Sequence, residues 1–246
     1  MLTKPNLRCF STCRTLFKET PTNLKGRKKS SQEWLTRQLK DPYVEKSRLE
    51  NYRSRSAFKL IEIDDKFKFL RPGNIIIDCG ASPGGWTQVA AQRCNADGKD
   101  TNSDIGTVVG IDLIRIHPIP GTILLSPMDF TKVSTQEKIQ QCLNGKPVDV
   151  LMSDMAPNAT GVAVLDHERI IDLVVQALRF ALQVSRPGGS FLAKIWNGAQ
   201  MQNLMNELER FYQTVHIVKP PASRKDSAEI YFYCQGFKGL KARPSQ

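Results

Sequence analysis

The chain has no apolar run near the roughly 18–20 residues that cross a bilayer, so no membrane-spanning helix is expected. Histidine is scarce, with three residues at 117, 167 and 216, and none of the six cysteines forms a C-x-x-C pair. That pattern excludes the common zinc sites and a disulfide framework. No metal is expected, and a reducing compartment fits. Internal repeats are absent. No continuous apolar stretch opens the chain, which excludes a secretory signal.

Acids are also missing from the first 18 residues, where Lys4, Arg8, Arg14 and Lys18 stand among Ser, Thr, Leu and Phe. This is the composition of a mitochondrial transit peptide, and Arg8-Cys9-Phe10-Ser11 is similar to a matrix-processing site. The alternative is a disordered basic tail that touches RNA directly. Residues 1–30 hold eight basic side chains against Glu19 alone, +7 of the formal net +11, which leaves +4 for everything after. The basic balance therefore belongs mainly to the leader. Within the body, residues 25–59 carry eleven Lys and Arg against four acids. That stretch is either a solvated helix face or a phosphate-contacting surface. In the second case, charge reversal of Arg53 and Arg55 weakens RNA binding and leaves cofactor binding alone.

What is present is an α/β alternation. Residues 31–70 read as helical, with one helix through Trp34, Leu35 and Leu39 and a second over 54–69. Strands are predicted over 74–79, 107–113, 122–126, 148–153, 190–196, 214–219 and 230–236. Helices are predicted over 84–94, 134–143, 166–185 and 200–212. Alternation of this kind implies a mostly parallel sheet with helices on both faces. Only residues 220–228 separate the last two strands, too few for a crossover helix, so the last strand is expected to run antiparallel. Seven strands with that reversal describe a Rossmann-like methyltransferase sheet. Residues 95–106, rich in Asp, Asn, Gly and Ser, read as a long flexible surface loop.

The most informative segment is Ile76-Ile77-Asp78-Cys79-Gly80-Ala81-Ser82-Pro83-Gly84-Gly85-Trp86. A buried strand ends on an acid and runs through a glycine-rich turn into a helix, the opening unit of a nucleotide-binding domain. Glycines suit such a turn because backbone must approach the ligand closely. The turn is neither G-x-G-x-x-G nor a P-loop, so it is not built for a pyrophosphate. That points away from NAD and ATP and toward a nucleoside ligand without phosphates, of which S-adenosyl-L-methionine is the usual one.

Ligands of such sheets bind at the strands' carboxyl ends. Asp112 ends the second strand, where an acid accepts from ribose hydroxyls. Asp129 follows the third and is either an acceptor for an adenine amine or an ordinary turn residue. Asp154 follows the fourth in Ser153-Asp154-Met155-Ala156-Pro157-Asn158. Lys194 stands alone inside the apolar strand Leu192-Ala193-Lys194-Ile195-Trp196, and lysine is seldom buried without a partner or a task. Glu229 precedes Ile230-Tyr231-Phe232-Tyr233, and Lys59 sits between Phe58 and Leu60 on an apolar helix side.

Taken together, Ser56 to Leu60, Asp78 to Trp86, Ser153 to Asn158, Lys194, and Ser227-Ala228-Glu229-Ile230-Tyr231 resemble the FtsJ/RrmJ family of ribose 2′-O-methyltransferases. The resemblance covers about residues 33–236. With the acid-poor leader, Asn158-Ala159-Thr160-Gly161 and the stretch from Lys219 to Lys225, it leans to the mitochondrial branch, which methylates a uridine of large-subunit rRNA. It implies a Lys-Asp-Lys-Glu catalytic set at Lys59, Asp154, Lys194 and Glu229. It also implies S-adenosyl-L-methionine binding by Gly84, Trp86, Asp112, Asp129 and Asp154, with Gly80, Pro83 and Gly85 in the same turn. The loop over 95–106 departs from the family in looking longer than the turn of the compact bacterial enzymes.

The chemistry such a set must perform is clear. A ribose 2′-hydroxyl is a weak acid and a poor nucleophile, so it needs a base and a nearby positive charge. A lysine serves as base only when neutral, and burial and a neighbouring cation both favour that state. On this reading Lys194 is the base, Lys59 the cation, Asp154 orients Lys194, and Glu229 positions the amine or the ribose. The expected layout is a leader over residues 1–30 and a methyltransferase domain over 31–240. The protein is expected to work in the mitochondrial matrix as a monomer, on large-subunit rRNA within an assembling ribosomal subunit. Rival readings are a methyltransferase for tRNA or an mRNA cap, and a non-catalytic ribosome assembly factor that keeps the fold as an RNA platform.

Overall fold

The computed structural model describes residues 36, 38, 40–158 and 160–240. The expected leader, Cys9, Cys13, Ala159 and the core positions Trp34, Leu35 and Leu39 of the first expected helix lie outside them. Contacts divide the chain into a unit over Met1–Glu45 and a unit over Lys46–Gln246. In the first, Asp41 accepts the Tyr43 amide at 3.0 Å and so caps a helix, α1 (Pro42–Leu49), whose opening proline lacks the N–H that a first helical turn leaves unpaired.

The second unit carries the α/β body. Helix α2 (Ala57–Phe67) buries Ala57, Phe58, Leu60 and Ile63 on one side and stops at Lys68, whose left-handed φ of 54° closes its last turn. There follow β1 (Ile75–Cys79), α3 (Gly85–Arg93), β2 (Thr107–Ile111), β3 (Thr122–Leu125), α4 (Val133–Leu143), β4 (Val148–Ser153) and α5 (Ala163–Val184). The chain ends in β5 (Ser185–Trp196), α6 (Met201–Phe211), β6 (Tyr212–Val218) and β7 (Glu229–Phe237).

The seven strands form one sheet in the order β3-β2-β1-β4-β5-β7-β6. Strand β7 runs antiparallel between β5 and β6, and the other pairs are parallel. The expected architecture, late reversal included, is the one found. Strand residues alternate between two cores. Ile77, Cys79, Val109, Ile111 and Leu151 face α4, α5 and α6, whereas Ile76, Val108, Val150 and Met152 face α2 and α3. Burial on both faces is why β1, β2 and β4 read as mostly apolar runs rather than alternating ones, with Asp78 and Asp149 as the charged exceptions. Strand β5 starts five residues earlier than expected, because Arg186–Gly189 bulges against β4, where the register shifts between Val148 and Val150.

The stretch over 95–106 is more ordered than its composition suggests. The buried side chain of Asn95 donates to the carbonyls of Asp100, Ser103 and Asp104 at 2.8, 3.1 and 3.4 Å, and its oxygen accepts the Asp100 amide at 3.0 Å. One amide fills the centre of the loop, so the expected flexibility gives way to a closed turn.

Candidate active site

Strand order reverses direction between β1 and β4, and a cavity of about 450 Å³ opens at the carboxyl ends beside that point. The volume lies within the range of small-molecule sites. Of the cofactor residues expected from sequence, Gly80, Asp112, Asp129 and Asp154 line it, with Leu113, Ile114, Met128 and Phe130 as apolar walls. Gly80 has φ +82°, and a Cβ there would stand 2.8 Å from the Met155 amide nitrogen. Only glycine lets β1 and the β4 loop meet at this corner. Asp112 accepts the amides of Ser82 and Ile114 at 2.8 and 2.7 Å, one on each oxygen. A carboxylate has about four acceptor sites, so capacity remains for a ligand. Asp129 is both things considered from sequence: one oxygen takes the Thr131 amide and hydroxyl at 2.9 and 2.7 Å in a local turn, and the residue still faces the cavity.

Pro83, Gly84, Gly85 and Trp86 stand apart from the cavity lining. A Cβ on Gly84, at φ +114°, would meet Ile119 at 2.7 Å, and one on Gly85 would meet the Ser54 hydroxyl at 2.2 Å. Trp86 is buried, donates its indole N–H to the Ser56 carbonyl at 2.9 Å and packs on Tyr231 with ring centroids 5.7 Å apart. These residues seat the turn and the start of α3 against the segment leading into α2. Arg53 braces the same turn, donating to the His117 and Pro118 carbonyls at 2.6 and 2.5 Å and reaching Pro83 at 3.5 Å. Arg55 donates to the Ala222 carbonyl at 2.5 Å. The two arginines, which the sequence left between a solvated face and a phosphate-contacting surface, thus brace backbone carbonyls, and reversing Arg53 would disturb the glycine turn as well as any RNA.

Four charged side chains meet beside the cavity. Lys194 lies on β5 opposite Tyr231 on β7, and Trp196 lies opposite Glu229. Residues two apart on a strand share a face, so Lys194, Tyr231 and Glu229 all point to the side that α2 covers with Lys59. The Lys194 ammonium is 2.9 Å from Asp154 Oδ1, and Lys59 is 2.7 and 2.8 Å from the two oxygens of Glu229. All four side chains are at least five-sixths buried. Asp154 stands beside Lys194 as the sequence reading had it, and each lysine brings its own counter-charge into the interior, where an unpaired ion is costly.

Sequence reasoning did not single out Tyr231, which links the two pairs. Its hydroxyl donates to Asp154 Oδ1 at 3.1 Å. Burial, then the Asp154 and Glu229 carboxylates, hold the phenol well above its ordinary pKa, so it stays a donor. Its position two residues after Glu229 in a strand was the available signal. Asp78 was also passed over. It is fully buried at the end of β1 and accepts the Thr87 hydroxyl at 2.6 Å. Burial pushes its carboxyl up to about 7 against the pull of Thr87, and Asp154 and Asp112 add to the rise.

The model of the FtsJ-like methyltransferase matches residues 52–237. The chain belongs to that family. The match takes in the cavity, the glycine turn and all four charged residues of this FtsJ-like methyltransferase. Among curated proteins, it is 52% identical over 222 residues to "rRNA methyltransferase 2, mitochondrial" of Drosophila melanogaster, covering 90% of this chain and 89% of the relative. It is 46% identical over 220 residues to "Ribosomal RNA large subunit methyltransferase E" of Parvibaculum lavamentivorans, covering 89% and 86%. A crystal structure from Plasmodium falciparum, assigned as a ribosomal RNA methyltransferase, superposes with a TM-score of 0.65 at 33% identity over 77% of this chain and all of that one.

Proposed function

We propose that this FtsJ-like methyltransferase transfers a methyl group from S-adenosyl-L-methionine to the ribose 2′-oxygen of a uridine in mitochondrial large-subunit rRNA. One observation carries the reading: Asp154 both lines the nucleoside-sized cavity and holds the buried ammonium of Lys194. The donor and the base are thereby tied to one side chain. The cavity suits the cofactor, with Asp112 set to accept from its ribose hydroxyls, Asp129 from its adenine amine, and apolar walls for the base. Gly80, Pro83, Gly84, Gly85 and Trp86 shape the turn that receives the amino-acid end.

Bound S-adenosyl-L-methionine supplies an electrophilic methyl group. Lys194, once neutral, takes the 2′-hydroxyl proton while Lys59 offsets the charge growing on the oxygen. Glu229 and Asp154 hold the two amines in place. General-base help of this kind contributes on the order of 10²–10⁴-fold, and alignment of oxygen, methyl carbon and sulfur supplies much of the rest.

The names of the relatives support an rRNA substrate and a mitochondrial setting. We assign residues 1–30 to a cleaved transit peptide, residues 31–240 to the catalytic domain, and the working protein to the matrix as a monomer. With only +4 beyond the leader, few phosphates can be neutralised, so selectivity must come from a folded RNA surface that presents the target ribose. An assembling large subunit should therefore be methylated faster than a short transcript of the same sequence. The deciding experiment maps ribose methylation by mass spectrometry of mitochondrial rRNA from cells lacking the protein. One uridine should lose its 2′-O-methyl group and regain it with the wild-type gene but not with Lys194→Ala. Unchanged methylation, or loss confined to tRNA or a cap, would overturn the assignment. A variant that restores ribosome assembly without methylation would favour the assembly-factor reading.

A further inference from the structure

The loop between β6 and β7 is fastened to α2 and to the turn that leads into it. Lys59 and Glu62 are three apart on α2 and so project from the same side, and Arg55 stands in the turn just before the helix. Arg55 donates to the Ala222 carbonyl at 2.5 Å, and Glu62 accepts the Ala222 amide at 2.7 Å, so a single loop residue is held at both backbone groups, by one side chain from α2 and one from the turn before it. Between those ties, Lys59 holds Glu229. The next loop residue, Ser223, is 4% exposed, and its hydroxyl donates to Glu229 Oε1 at 2.7 Å. Farther along, the Ser227 hydroxyl accepts the Glu229 amide at 3.1 Å, and Lys219 donates to the Lys225 and Ser227 carbonyls at 3.2 and 2.7 Å.

We infer that Ser223 is a positioning residue for methyl transfer, aiming the Glu229 carboxylate at Lys59, with the Arg55–Ala222–Glu62 clasp fixing Ser223 in place. The inference rests on the reading of Lys59 and Glu229 as part of the catalytic set. Glutamate has three rotatable side-chain bonds, and freezing them is entropically unfavourable. Glu229 starts a strand, where the backbone alone does not choose its rotamer. Lys59 is itself long and flexible, so two such side chains facing each other leave the pair free to swing. A short, buried serine on a loop pinned from both sides adds the rigid third point, and a donor to a carboxylate makes one of the stronger hydrogen bonds.

The test uses the full chain with purified large-subunit precursor. Ser223→Ala should lower kcat roughly 10-fold or more, the effect of losing a hydrogen bond to a charged group. Its KM for cofactor and its melting temperature should stay near wild type. Ser223→Thr, which keeps the hydroxyl, should recover most of the rate. Combined with Glu229→Gln, Ser223→Ala should add little further loss, because both act through one carboxylate. Crystal structures of Ser223→Ala should show the Glu229 carboxylate turned off Lys59. A carboxylate that stays in place, or losses that simply multiply in the double variant, overturns the positioning role. A carboxylate that moves while Ser223→Ala and Glu229→Gln both keep full turnover overturns instead the place of Glu229 in catalysis, and the inference falls with it.

Discussion

The two halves of the site are built in different ways. On the cavity side, each acid is held by backbone amides of the turns at the strand ends: Asp112 by Ser82 of the glycine turn and by Ile114 two residues on, and Asp129 by Thr131 two residues on. On the charged side, the ties among the four ions and Tyr231 are long-range. Lys59 meets Glu229 across 170 residues, and Tyr231 meets Asp154 across 77. The first half is a property of strand ends and persists wherever a strand delivers an acid to a turn. The second exists only when α2, β4, β5 and β7 are all assembled. Binding should therefore tolerate changes on the charged side, and turnover should not.

The largest expected effect tests that separation. Lys194→Ala should lower single-turnover methyl transfer by about 10³-fold and leave cofactor affinity, measured by calorimetry, near wild type. Comparable loss of both would mean that the halves are one unit.

Asp78 lies between the two and ties the comparison to pH. Its folded-state value of about 7 is above the roughly 3.9 of an unfolded aspartate. The folded protein thus holds an extra proton between those values. The stability it contributes is complete below the unfolded pKa and is lost as pH rises through 7. Chemical denaturation at pH 5.5 and pH 8 should show wild type losing stability on the order of a few kcal/mol from this group. Asp78→Asn, which keeps an acceptor for Thr87, should flatten that slope. An unchanged slope would remove Asp78 from the account.

Asp112→Ala should raise the dissociation constant for S-adenosyl-L-methionine roughly 10–100-fold, with turnover at saturating cofactor reduced far less. A fall in kcat as steep as that of Lys194→Ala would break the contrast between the halves. The smallest effect belongs to Arg53→Ala. Losing its carbonyl contacts at the exposed turn should lower stability by about 1 kcal/mol and weaken cofactor binding slightly, read by thermal denaturation with and without cofactor. An effect on RNA binding alone would restore the phosphate-contact reading of that side chain.

Much of this was legible in one dimension, and the reason is periodicity. Apolar runs, a glycine turn and the short link over 219–228 are local signals, and they prescribe seven strands, a parallel sheet and its reversal at β7. Acids at strand ends are local too, so Asp112, Asp129 and Asp154 could be named with their chemistry. The lone Lys194 in an apolar strand announced itself because burying an amine demands a partner. Its partner, Asp154, came from the family resemblance and not from a local pattern. Tyr231 between the pairs, and Arg53 and Arg55 on the carbonyls of Pro118 and Ala222, depend on groups far apart in the chain. Asn95 closing its loop is the local exception, hidden because a polar composition does not reveal hydrogen bonds that are satisfied internally. Register and packing of distant elements set those contacts, since burial forces each charge to pair with whatever the fold brings within reach.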